Sequence, residues 1–93
     1  MELNFEWDMK KASKNLRKHG ISFEEGATVF GDPLSITVHD PLHSEEEDRF
    51  VLIGQSIKLH TLVVVHSERN GKIRIISARV ANQLERKTYE ENN

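Results

Sequence analysis

The chain has 93 residues, no cysteine and a formal charge of −2. That length suits one small domain over 1–93, one that buries only about 60 to 65% of its unfolded surface and gains stability from any partner that covers more. The missing thiols exclude a disulfide framework and a thiolate zinc site. No apolar run approaches the roughly 20 residues of a membrane span, and the first residues have neither the basic start nor the apolar core of a signal peptide, so the expected location is cytoplasmic. The acids are clustered: Glu45, Glu46, Glu47 and Asp48 fall in one loop and Glu90 and Glu91 in the tail. The remaining body carries +4, and the local field, not the total, is what a polyanion meets.

In chain order, Leu3, Phe5 and Trp7 alternate with Asn4 and Glu6, which predicts a short amphipathic strand. Asp8 caps a helix that runs to about His19 and stops at Gly20. Its apolar content is thin (Met9, Ala12, Leu16), while Lys10, Lys14, Arg17 and Lys18 form one basic face. Ser22 starts a shorter helix with Glu25 at the capping-box spacing, with Phe23, Ala27 and Phe30 on its buried side, and Gly31, Asp32 and Pro33 end it. Leu34, Ile36 and Val38 alternate with polar residues as a half-buried strand, followed by an acidic loop over 40–48. Apolar runs at 50–55 and 62–67 predict central strands joined by a turn near Lys58 to His60. Asn70 and Gly71 turn the chain into a last strand, 72–78. Asn82 to Glu85 repeats the capping box and opens the final helix. The expected fold class is α+β: an antiparallel four-stranded sheet packed with two N-terminal helices and one C-terminal helix. The connections between these strands are too short for parallel crossovers.

The last third holds the most suggestive chemistry. Arg74 alternates with Ile73 and Ile75, and Arg86 and Tyr89 share a helix face three residues apart. Guanidinium groups at a sheet suit phosphate, whose oxygens match the Arg fork in pairs. RNA cleavage without metal needs a base for the 2′-hydroxyl, cations for the phosphoryl charge and an acid for the leaving oxygen. The candidates are His66 as acid or base, Arg74, Arg79 and Arg86 for charge, and Tyr89 for stacking or proton donation. Lys10, Lys14, Arg17, Lys18 and Trp7 are candidate RNA contacts. Each has a blander alternative as a solvated surface group or, for His66, a structural histidine. His39, Asp40 and His43 are close in sequence but on a loop fix no shared ligand face, so no metal and no cofactor is expected.

Taken together, Phe5 to Asp8, Asn15 to Gly20, Ser22 to Glu25, Asp32-Pro33, Arg49-Phe50, Ile53-Gly54, Arg74 to Arg79, Glu85-Arg86 and Tyr89-Glu90 resemble the BrnT family of bacterial toxins, in order and over essentially the whole chain. The resemblance implies a fold similar to RelE, a ribonuclease toxin, with action on RNA that arrests translation and growth. It also implies a BrnA-like antitoxin that neutralises the toxin and represses the shared operon, a complex with two copies of each chain, and contact with DNA only through the antitoxin. Asn82 departs from the threonine common in such chains, but both residues cap helices. The rival expectation is a non-catalytic binding module whose basic and aromatic surface holds an antitoxin or a DNA-bound regulatory complex.

Overall fold

The computed structural model describes residues 3–39 and 49–92. Among these the order is β1 (Asn4–Glu6), α1 (Met9–His19), α2 (Phe23–Thr28) with a 3₁₀ turn over Val29–Gly31, β2 (Ile36–His39), β3 (Arg49–Gln55), β4 (Thr61–Arg69), β5 (Lys72–Val80) and α3 (Gln83–Glu91). Local signals set most boundaries. Asp8 accepts from the Lys10 and Lys11 amides at 2.8 and 3.1 Å, and Gly20 closes α1 at φ +72°, a conformation that costs glycine little. Asn70 and Gly71 both have positive φ, as a two-residue hairpin between right-twisted strands requires. At α3 the whole capping box is made: Asn82 accepts from the Glu85 amide, and the Glu85 carboxylate accepts from the Asn82 amide.

The sheet has five strands in the order β1-β5-β4-β3-β2, not the four expected. Strands β2 to β5 pair antiparallel in sequence order, as the short connections dictate. Residues 4–6 supply the fifth strand, pairing parallel with β5 so that Phe5 lies opposite Ile73. A three-residue strand carries too little pattern to announce a partner, and here the partner is almost seventy residues away, reached through the helices and the meander.

Opposed residues share a face, so the register sorts the side chains. Leu52, Leu62, Val64, Ile75 and Ala78 pack with Ile21, Phe23 and Val29 into the main core, under α1 and α2. Gly26 brings α2 close to the sheet, where an added Cβ would lie 3.1 Å from Ala78 Cβ. α1 docks by a polar device instead of an apolar stripe. Buried Asn15 donates to the backbone carbonyls of Ile21 and Ala78 at 2.9 and 2.7 Å and accepts from the Ala78 amide, serving the edge of β5 beyond the end of β1. The opposite face carries a smaller cluster of Ile53, Val63 and Ala81 with Val51 and Tyr89, covered by α3.

Glu25 does not complete the capping box expected at α2. Ser22 accepts from its amide, but its carboxylate turns inward, taking a hydrogen bond from the Ser56 hydroxyl at 2.7 Å and meeting His60 Nδ1 at 2.7 Å. Burial pushes the Glu25 pKa up, and those two hydrogen bonds more than reverse the effect, holding it below the ordinary value. A buried carboxylate thereby ties α2 to the β3–β4 turn. Among the described residues no helix is long and apolar enough to cross a membrane.

Candidate functional site

The face opposite α1 and α2 gathers the arginines. Across four strands, Glu6, Arg74, Ser67 and Arg49 stand in one row, each opposite the next. Two rows along, Arg79, Val63, Ile53 and Ile36 form another. Arg74 and Arg79 are five residues apart, so an unbroken strand would send them to opposite faces. A bulge prevents that. Val65 pairs with Ser77 and His66 with Ile75, leaving Ile76 as the extra residue, and both arginines project from the same face. From the strand geometry their Cα atoms lie about 14 Å apart along the sheet, and Arg49 and Arg74 about 10 Å apart across it.

The groups in the first row are differently engaged. Arg74 is half-buried and makes one long contact, 3.4 Å, with Glu6. Ser67 is buried between the two arginines, and its hydroxyl has no hydrogen-bond partner among the described residues. Neither Arg49 nor Ser67 is among the site residues expected from sequence. Arg49 alternates with Val51 and Ile53, which places it on their face of the strand, but only the register sets it beside Arg74.

Arg79 is committed. Its guanidinium forms a two-pronged pair with Glu85 at 2.7 and 2.8 Å, which holds the Glu85 carboxyl below and the Arg79 guanidinium above their ordinary pKa values. Tyr89 is committed as well. Its hydroxyl donates to Asp32 Oδ2 at 2.6 Å, and that hydrogen bond pushes its pKa up to about 12. Asp32 also accepts from the Gln55 and Leu34 amides; burial raises its pKa, and these bonds, led by Tyr89, outweigh that effect and hold it low. Arg86 is exposed on α3.

His66 lies on the other face. It is 4% exposed, with its ring edge-on to Phe30 at 4.8 Å and stacked on Phe50 at 5.7 Å, and burial lowers its pKa. The strand order puts a sheet between this imidazole and the arginine row. Trp7 is half-buried on that face too, edge-on to Phe23 at 6.0 Å, which leaves it beside the core and away from the arginines. Lys10, Lys14, Arg17 and Lys18 are exposed along α1. The acidic residues 45–48 and the Asp40 and His43 considered as ligands lie outside the described residues.

A family model described as the ribonuclease toxin BrnT of type II toxin-antitoxin systems matches residues 7–85. Among solved structures, the chain is similar to the crystal structure of the Brucella abortus ribonuclease toxin BrnT, at 24% identity and a TM-score of 0.64, with 88% of this chain and 100% of that chain covered. At that identity the likeness speaks for the fold. Comparison with curated proteins gives no match. The family match spans most of the sequence and takes in the bulge, the Arg79–Glu85 pair and the first turn of α3, and on that ground the chain belongs to the family of BrnT ribonuclease toxins of type II toxin-antitoxin systems.

Proposed function

We propose that this chain is a metal-independent endoribonuclease whose reaction takes place on the arginine face, and that it acts in the cytoplasm to arrest translation and growth. The observation that carries the reading is the bulge at Ile76, which gathers Arg74 and Arg79 on one face with Arg49 and Ser67. The RNA 2′-hydroxyl attacks the adjacent phosphorus, the bond to the 5′-oxygen breaks as that oxygen takes a proton from water, and a 2′,3′-cyclic phosphate remains. Arg74, aided by Arg49, stabilises the charge that builds on the phosphoryl oxygens. The unpartnered Ser67 hydroxyl between them donates to one of those oxygens. Glu6, the carboxylate beside Arg74, accepts the proton of the attacking hydroxyl. Arg79 holds α3 through Glu85, and Arg86 reaches RNA from the exposed side of α3.

A BrnA-like antitoxin, in a complex with two copies of each chain, covers this face and represses the operon, so that DNA is met only through the antitoxin. A fold similar to RelE is supported by the antiparallel meander of β2 to β5 with one helix-covered face, to which β1 adds a fifth, parallel strand. One observation favours the non-catalytic alternative: His66, Arg79 and Tyr89 are engaged in packing or pairing and leave the proton transfers to other groups.

Incubation of purified protein with purified RNA, with and without chelator, tests the reading. Fragments ending in 2′,3′-cyclic phosphate with EDTA present are expected. Intact RNA, or cleavage that needs a divalent ion, overturns it.

A further inference from the structure

The seam between α1 and β5 holds a feature that the arginine face does not use. Lys11, Lys14, Lys18 and His19 of α1 border an open pocket of about 200 Å³ whose floor includes Asn15, Ile76 and Ser77. At 100° per residue, Lys11, Lys14 and Lys18 fall within about 60° of one another on the helix. Neighbours three and four apart with the same charge repel each other. None of the three ammonium groups has an ion-pair partner among the described residues, and α1 contains no acid at all. Lys10 and Lys11 also stand in the first turn, where the helix dipole disfavours cations and only the Asp8 cap opposes them, whereas Lys18 and His19 stand in the last turn, where it favours them.

Helix stability thus runs against the like-charge spacing of the three lysines and against Lys11 in the first turn. A surface serving solubility alone would alternate signs. Local conflicts of this kind mark functional positions. The pocket also adjoins the arginine face: Ser77 pairs with Val65, so its side chain lies on the same side as Arg74 and Arg79, and β1 ends at the partner of Arg74, leaving this stretch of edge to α1.

We infer that the α1–β5 seam is a phosphate-binding subsite, in which Lys11, Lys14, Lys18, His19 and the Ser77 hydroxyl hold a backbone phosphate of the RNA strand whose scissile phosphate lies at the arginine row. The assignment rests on the ribonuclease reading and adds a second anchor point to it. The two anchors, one at the arginine row and one at the seam, fix the path of the strand over the edge of β5, and the seam contact reads charge and not base identity. A free phosphate presents the same chemistry, so both sources enter the test.

A labelled, fully 2′-O-methylated RNA oligonucleotide lacks the attacking hydroxyl and reports binding without cleavage by fluorescence anisotropy. The Lys14→Ala/Lys18→Ala double variant is expected to bind it roughly tenfold more weakly near 0.1 M salt, with a salt slope flatter by about 0.7, the change due when one phosphate of a single strand is no longer neutralised. Its thermal midpoint is expected to equal or exceed that of the unaltered protein, because like-charge repulsion is relieved. Inorganic phosphate titrated into labelled protein is expected to shift the backbone resonances of His19, Ile76 and Ser77, and to lose that effect in the double variant. Equal affinity and slope in both proteins, phosphate shifts confined to the Arg49–Arg74 row, or a variant weakened only toward antitoxin overturns the subsite. If seam binding is present while unmodified RNA stays intact, the subsite stands and the ribonuclease reading falls.

Discussion

Arg74, Arg79 and His66 show how one residue type or one strand position acquires different work from its neighbours. Arg74 has a single long contact to Glu6 and faces away from the main core, so Arg74→Ala is expected to slow RNA cleavage about 10- to 1000-fold. Its unfolding midpoint should stay within about 0.5 kcal/mol of wild type, as for most surface changes. Equal losses of activity and stability in paired kinetics and urea titrations would falsify the catalytic role. Arg79 reverses the expectation. Its two-pronged pair with Glu85 belongs to the cap of α3, so Arg79→Ala should cost about 1 kcal/mol, discounted for partial exposure, and any rate loss should follow from loosening of the helix. His66 belongs to pH. The folded state keeps it neutral below the ordinary value of 6.5, where the unfolded chain has already bound a proton, so its contribution is present above about pH 6.5 and lost as pH falls through the folded pKa. His66→Phe, which retains the ring contacts, should flatten the wild-type decline in urea midpoint between pH 7 and 5.5; parallel curves for the two proteins would refute this.

At the level of elements, the bulge in β5 and the anchoring of α3 decide the site. Removing Ile76 would make the His66–Ile75 and Val65–Ser77 pairs consecutive, a regular ladder in which Arg74, Ser77 and Arg79 keep their shared face and Ala78 stays on the buried one. Deletion of Ile76 is therefore expected to keep a cooperative thermal transition and both arginines on their face while removing the local bend; circular dichroism melts check this, and loss of the transition would show that the bulge itself is needed for the fold. α3 has no fully buried residue and depends on Tyr89 packing against Ile53 and Val63, on its hydroxyl at Asp32, and on Glu85. Tyr89→Phe keeps the ring and loses the hydrogen bond, with an expected cost of about 1–2 kcal/mol. Because the folded pKa of Tyr89 is raised to about 12, its stabilisation is complete below the ordinary value of 10.0 and disappears as pH climbs toward the folded one. The variant should lack that alkaline step. Wild type and Tyr89→Phe losing stability alike between pH 10 and 12 would show that the latch is not the titrating group.

For the molecule as a whole, the two sheet faces are unequally covered. α1 and α2 close one side, while α3 reaches only part of the other, and Val38 remains 48% exposed at the free edge strand. A partner that lies over this side would bury Val38, Val51 and Val65, which stand opposite one another across β2, β3 and β4, and mask Arg74 as well. Antitoxin binding to the folded state alone should raise stability by RT ln(1 + [L]/Kd), roughly 4 kcal/mol at a thousandfold excess over Kd, in step with inhibition. Thermal melts with increasing antitoxin measure it. An unchanged midpoint at saturating antitoxin, or inhibition without binding, is the contrary result.

Sequence alone determined what depends on neighbours in the chain: the caps at Asp8, Ser22 and Asn82, the stop at Gly20, the turn at Asn70 and Gly71, the apolar runs that make 50–55 and 62–67 strands, and the alternation about Arg74 in 72–78. The family likeness was also legible there, because it is carried by short segments in a fixed order. What tertiary structure decided was everything that depends on register or on which side of a sheet a residue falls. Arg49 and Ser67 join Arg74 only through pairing across three strands, and His66 is parted from them by the same pairing. Glu25 and Tyr89, read locally as a cap partner and a ligand group, are claimed by Ser56, His60 and Asp32, residues about thirty to sixty positions distant. One extra residue at Ile76 reverses the facing of all that follows, and since a bulge is stabilised by cross-strand contacts, no local pattern in β5 could reveal it.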